Sequence, residues 1–209
     1  MIIKKIVNGK LSTNTYLIYD DEKNAAIIDP AEDTERMISE IKDLGLNLKY
    51  IINTHCHPDH ISGNKKIYEE FSCELLAHKK EEHMLDDSTS HLAKYLGIEK
   101  DQPKIDKYIK DGDIIQVGSI QLRVIETPGH TEGSVSLHDE NKKVLFSGDT
   151  LFHRSVGRTD LPGGDVYVLL ESLAKLLNLP EDVRVLPGHS GETTIAFEKE
   201  NNPFAKRLG

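Results

Sequence analysis

Four short apolar runs in this 209-residue chain each end in a turn that is followed at once by a side chain able to bind a metal. Tyr50-Ile51-Ile52-Asn53-Thr54 leads to His55, and Val124-Ile125-Glu126-Thr127-Pro128-Gly129 leads to His130. Val144-Leu145-Phe146-Ser147-Gly148 leads to Asp149, and Val183-Arg184-Val185-Leu186-Pro187-Gly188 leads to His189. Runs of this length and composition read as buried strands. In α/β sheets, sites collect at the carboxyl ends of the strands. One such turn is an ordinary Pro-Gly or Ser-Gly turn; four of the same form point to a common site.

The densest stretch is Thr54-His55-Cys56-His57-Pro58-Asp59-His60, which packs three histidines and an aspartate into six positions. Imidazole and carboxylate suit zinc, iron or manganese. Alternate residues of an extended segment point the same way, so His55, His57 and Asp59 are expected to converge, with Cys56 and His60 facing other sides. Such a loop can hold two ions side by side. Cys56 is read as a bystander rather than a nucleophile, because alternation turns it away from its neighbours.

The rest of the chain supplies the frame. Strands are expected at Ile2 to Val7, Thr15 to Tyr19 and Ala25 to Ile28, then a helix over Thr34 to Leu44 with Met37, Ile38, Ile41 and Leu44 on one face and Gly45 as its stop. Leu48 to Ile52 is a further strand, followed after the histidines by a helix over Asn64 to Phe71 and a strand over Glu74 to Ala77. Lys79 to Lys110 is polar and irregular after a helical start; His78, His83 and His91 lie here as surface histidines. The second half offers strands at Ile114 to Val117, Ile120 to Ile125, Ser134 to Leu137, Val144 to Phe146 and Val183 to Leu186. Its helices are Asp165 to Leu177, with Val168, Leu169, Leu173 and Leu176 inward, and Glu192 to Glu200. The order strand-strand-strand-helix-strand therefore occurs twice, in halves of about 1–110 and 111–209 of one domain.

Composition removes several classes. A net charge of −9 without a basic block argues against nucleic-acid binding. No apolar run approaches the ~20 residues that span a bilayer, and the N-terminus does not read as a signal peptide. Two cysteines, Cys56 and Cys73, make no disulfide framework. These features together lead to the expectation of a cytoplasmic protein.

His55-x-His57-x-Asp59-His60 with His130, Asp149 and His189 resembles the ligand pattern of the metallo-β-lactamase superfamily. The resemblance covers nearly the whole chain and implies an α/β fold, a four-layer αββα sandwich with a dinuclear metal site. It implies that His55, His57 and His130 hold one metal, that Asp59, His60 and His189 hold the other, and that Asp149 bridges both. The cofactor implied is two divalent ions, zinc first, with iron or manganese possible. A hydroxide bridging the ions would be the nucleophile, oriented by Asp59 as the catalytic residue.

Ser147 to Phe152, Gly157 to Asp165, and Pro187 to Thr194 with Glu198, Glu200, Asn202, Pro203 and Phe204 resemble the glyoxalase II (hydroxyacylglutathione hydrolase) branch, in a short form without its further C-terminal helical region. That branch implies hydrolysis of a small acyl thioester such as a 2-hydroxyacyl glutathione. Arg158-Thr159-Asp160 would orient ligands through hydrogen bonds, and Phe152, His153 and Arg158 are the substrate-side candidates. The alternative is a persulfide dioxygenase with one iron on His55, His130 and Asp149. A β-lactamase fits less well, since Asp149 stands where several lactamases place a cysteine. A tRNA-processing ribonuclease would want a basic arm; a flavodiiron protein would carry glutamate in place of His57. A metal-storing module needs no open, shared coordination position.

Overall fold

The computed structural model describes residues 1–85, 93–94 and 102–207. The chain forms two compact units: one of residues 1–109 with the hairpin tip 116–121, and one of residues 110–115 with 122 onward.

The first unit opens as an antiparallel meander of β1 (Ile2–Asn8), β2 (Thr13–Tyr19) and β3 (Asn24–Ile28). Helix α1 (Thr34–Asp43) then carries the chain over so that β4 (Asn47–Ile52) joins β3 in parallel, as a crossover of this kind must. The helix buries Met37 and Ile41 completely, worth about 1.5–3 kcal/mol each. At ten residues it would not persist without that contact. Gly45 ends it in the left-handed conformation, φ 62°. β5 (Glu74–Ala77) and the two-residue β6 (Lys107–Tyr108) extend the sheet in the order β1-β2-β3-β4-β5-β6. Between β4 and β5 lie the single turn α2 (Pro58–Ile61) and α3 (Asn64–Phe71). Leu17, Ile27, Ile51, Ile67 and Leu75 are fully buried in one core with α1.

The second unit is built on the sheet β14-β13-β10-β9-β8-β7. β7 (Ile114–Val117), β8 (Ile120–Glu126), β9 (Val135–Asp139) and β10 (Val144–Gly148) are followed by the small hairpin of β11 (Leu151–Phe152) and β12 (Ser155–Val156). Helix α5 (Val166–Leu177) crosses to β13 (Arg184–Pro187), which lies parallel to β10. The Asp165 carboxylate caps α5 by accepting from the amides of Tyr167 and Val168. Leu173, Leu176, Leu145, Val185 and Ile195 form its core.

The strands and helices fall largely where periodicity places them, with four differences. Val168 is only half-buried on α5, and Leu177 takes the inward place instead. Thr193–Thr194 is strand β14, paired with β13, so the last helix, α6 (Ile195–Asn201), begins three residues later than its pattern suggests. Strand β9 runs two residues beyond the expected Leu137: Asp139 closes it, and its carboxylate accepts from the Lys142 amide at 2.8 Å. The second unit also has four sheet strands before its crossover helix, where the repeat of architecture led to an expectation of three.

Candidate metal centre

The ligand-type residues of the first unit lie after β4, but not in an extended segment. Residues 53–57 belong to no strand, and Pro58 begins the helical turn α2 that carries Asp59 and His60. Strict alternation is therefore broken. The His60 ring lies 4.1 Å from that of His55, closer than His57 at 4.9 Å. Cys56 does face away: its side chain belongs to the hydrophobic core, and burial, with Glu81 and Asp29 adding to it, pushes its thiol well up.

His60 is held from behind. Its Nδ1 lies 3.1 Å from Asp29 Oδ2, and its Nε2 is 3.4 Å from Asp59 Oδ2. Asp29 also takes the Thr54 amide at 2.8 Å and the Thr54 hydroxyl at 2.6 Å. With its Nδ1 proton given to a carboxylate, the imidazole keeps its Nε2 lone pair for a cation. Asp59 is fixed in turn by the Thr13 hydroxyl, which donates to Oδ2 at 3.0 Å.

The second unit repeats this arrangement on its own residues. His130 Nδ1 lies 2.7 Å from the Arg158 carbonyl, so that its Nε2 is the atom 3.6 Å from Asp149 Oδ2. His189 Nε2 stands 3.5 Å from the same oxygen. Asp149 is brought there by a break in the β10–β13 register after Phe146 and by Gly148 at φ 50°. Gly157 passes so close that a Cβ would sit 1.9 Å from the Asp149 carbonyl oxygen and 3.1 Å from His130 Nδ1.

Separations of 3.4–3.6 Å are long for a good hydrogen bond. They match the edge of a tetrahedron: two ligands each about 2.1 Å from one ion stand about 3.4 Å apart. The donors are imidazoles and carboxylates, His55 and His60 fully buried and His189 partly exposed. This set fits a divalent cation.

The substrate-side candidates are placed less uniformly. Phe152 turns its ring edge-on to His189 at 6.1 Å. His153 is partly exposed, stacks on Phe197 at 4.9 Å and lies 3.8 Å from the Glu198 carboxylate. The Arg158 guanidinium forks onto Asp160 with both bonds at 2.7 Å, on the surface, and holds that carboxyl down at about 2. Arg158 serves the site through its carbonyl, so the orienting segment acts by backbone. Residues 78 and 83 bind locally: His78 Nδ1 accepts from the Lys80 amide, and His83 Nδ1 sits 2.8 Å from the Lys80 carbonyl. His91 lies outside the described residues.

Three supporting side chains receive no role from the reading of motifs. Asp29 follows β3 just as the ligands follow their strands, so the same signal was present at a fifth strand end. Thr13 has no signal at all. Glu198 is fully buried and accepts from the Arg154 amide at 2.9 Å, the Thr193 hydroxyl at 2.6 Å and the Asn202 amide at 2.8 Å. It thereby ties α6 to the turn of the β11–β12 hairpin.

The sequence matches the metallo-beta-lactamase superfamily over residues 8–189. It is 39% identical over 198 residues to hydroxyacylglutathione hydrolase GloC of Haemophilus influenzae, covering 91% of this chain and 92% of that protein. The crystal structure of BLEG-1 B3 metallo-beta-lactamase aligns over 98% of this chain and 99% of its own, with 39% identity and a TM-score of 0.91. TTHA1623 in a di-iron-bound form aligns over 96% and 99%, with 32% identity and a TM-score of 0.86. ETHE1 from Myxococcus xanthus aligns over 99% and 85%, with 31% identity and a TM-score of 0.82. The chain belongs to the metallo-β-lactamase superfamily and has its fold.

Proposed function

We propose that this protein is a dinuclear-metal hydrolase that cleaves a small acyl thioester, of the 2-hydroxyacyl-glutathione kind or the ester of a related thiol. In this reading His55, His57 and His130 would hold one divalent ion and Asp59, His60 and His189 the other, with Asp149, near both His130 and His189, as a ligand available to both. The observation that carries it is the pairing of Nε2 atoms with carboxylate oxygens at 3.4–3.6 Å in both units, with His60 and His130 each backed at Nδ1. Zinc suits this nitrogen- and oxygen-rich set; the di-iron form of TTHA1623 keeps iron in view. The thioester is supported by the likeness to GloC.

When bound, the two ions supply Lewis acidity, lowering the pKa of a water and polarising the acyl carbonyl. The chain's own residues do the rest. The Thr13 hydroxyl fixes the Asp59 carboxylate by donating to Oδ2, and Asp59 would both help to hold an ion and orient the attacking water. Asp29 and the Arg158 carbonyl fix the tautomers of His60 and His130, so that neither Nε2 carries a proton. Phe152, beside His189, would shield one side of the reacting acyl group from water. The substrate is a small molecule rather than nucleic acid or membrane, in keeping with the −9 charge. Among the described residues no helix is long and apolar enough to cross a membrane. Both thiols are free and buried, as a cytoplasmic setting would keep them.

A second reading, a one-iron persulfide dioxygenase using His55, His130 and Asp149, is favoured by the Gly157 to Asp160 segment and the likeness to ETHE1. Metal content per chain, with three assays, separates the readings: S-lactoylglutathione hydrolysis, oxygen uptake with glutathione persulfide, and β-lactam hydrolysis, the last prompted by BLEG-1. Two metals with thioester turnover that falls to background in Asp149→Ala supports the hydrolase. One iron with oxygen uptake and no hydrolysis refutes it. β-Lactam turnover exceeding thioester turnover would replace the substrate assignment.

A further inference from the structure

The His55-Cys56-His57 backbone belongs to no strand, so no sheet ladder supplies its hydrogen bonds. Backbone amides in such a buried segment must find partners elsewhere. The Asn53 amide goes to the Leu76 carbonyl, and the Thr54 amide goes to Asp29. The Cys56 amide donates to Glu81 Oε2 at 2.8 Å. Glu81 ends the 3₁₀ turn Lys79–Glu81 after β5, just before α4 (Glu82–Leu85), and its side chain is 0% exposed. A glutamate is almost never buried to this degree unless it is paired. Its sequence neighbours, Lys79, Lys80 and Glu82, stand at the surface or half-exposed, so Glu81 alone turns inward from this turn.

Cys56 is the residue between the two histidines of the His-x-His pair, and its amide belongs to the peptide plane shared with His55. A charge-assisted hydrogen bond at that plane fixes how His55 and His57 splay: their rings stand 87° apart in orientation, 4.9 Å between centres. Asp29 anchors the same loop one residue before His55. Two buried carboxylates from different elements thus hold the loop on either side of His55, and both also bear on the Cys56 thiol.

We propose that Glu81 is a positioning residue for divalent-cation binding: through the Cys56 amide, its carboxylate sets the separation of His55 and His57 at which both can ligate one ion. This rests on the proposed metal centre but concerns a residue outside the proposed ligand set. It also gives the 3₁₀ turn at the start of the polar segment after β5 a definite part in the site.

The test uses the full chain, stripped of metal and titrated with zinc against a chromophoric chelator. Glu81→Met fills the volume but offers no acceptor; Glu81→Gln keeps an amide oxygen for the Cys56 N–H. Affinity is read well below the melting temperature of each metal-free protein, so that global unfolding does not enter. Glu81→Met is expected to lose about 10–100-fold in affinity for at least one of the two ions, with Glu81→Gln remaining within about three-fold of the parent. Glu81→Met binding zinc as the parent does would overturn the proposal, as would equal losses in both variants. If Glu81→Met does not fold, Glu81→Asp carries the same test by drawing the oxygen back about one bond length, with a loss of about ten-fold expected and parental affinity overturning the proposal. A parent chain that binds no zinc overturns the metal centre itself, an outcome distinct from parental affinity in the variants.

Discussion

Asp29→Asn isolates the orientation of one imidazole from the packing around it. The change is isosteric, and asparagine accepts the left-handed backbone that Asp29 adopts at φ 50°. The Thr54 amide can only donate, so the carboxamide oxygen must take the place of Oδ1, 2.8 Å from that nitrogen. The carboxamide nitrogen then replaces Oδ2, where it faces the Thr54 hydroxyl and His60 Nδ1. A hydroxyl can turn round and accept. The imidazole can accept at Nδ1 only by moving its proton to Nε2, the atom that faces Asp59. Nε2 then has no lone pair for a metal. In stability, three charge-assisted bonds become neutral ones at about 1 kcal/mol each, or about 3 kcal/mol in all. For a chain of this length that is about 6–12 °C in melting temperature, short of unfolding. Zinc affinity should fall further, by about 10–100-fold at the ion His60 is proposed to hold. Chelator competition measures the affinity, and long-range proton–nitrogen NMR of the ring reads the tautomer directly. An Asp29→Asn protein that binds two ions with parental affinity would refute the argument, whatever its melting temperature.

Gly157→Ala should be among the most damaging small substitutions, because its Cβ would lie 1.9 Å from the Asp149 carbonyl and backbone has little room to yield; a loss of about 3 kcal/mol or more is expected in urea unfolding, together with metal. Asp20 accepts from the amides of Ser119, Glu22 and Asn24, of which the Ser119 bond does most to hold its carboxyl down at about 2. A depressed folded-state pKa stabilises above the unfolded value and is lost as pH falls through the folded one. The gap in melting temperature between the parent and Asp20→Asn should therefore be full above pH 4 and close between pH 4 and about 2. A gap that persists at pH 2 would assign it to packing instead. Burial pushes the Cys73 thiol up to about 11 and the Cys56 thiol well up, so native protein at pH 8 should react with neither equivalent of a thiol reagent until denatured. Cys56→Ser should retain thioester turnover, and loss of turnover with metal content intact would restore Cys56 as a candidate nucleophile.

Much of this protein could be read before any coordinates. The alternation and apolar runs located nearly every strand, because a strand buried by its neighbours must be apolar whatever those neighbours are. The seven ligand-type residues stood out because four of them each follow such a strand at once and the other three crowd within five positions of His55, which are local properties of the chain. Two-residue strands such as β11, β12 and β14 carry no period and escaped notice. Tertiary structure alone decided how the ligands are held. Asp29 reaches His60 across 31 positions, Thr13 reaches Asp59 across 46, and the Arg158 carbonyl meets His130 across 28. Glu81 meets the Cys56 amide across 25, from a segment that reads as polar and irregular. A ligand is visible in sequence because its chemistry is in its own side chain. A support is not, because a threonine, a glutamate or a bare carbonyl becomes one only when folding carries it to the right nitrogen.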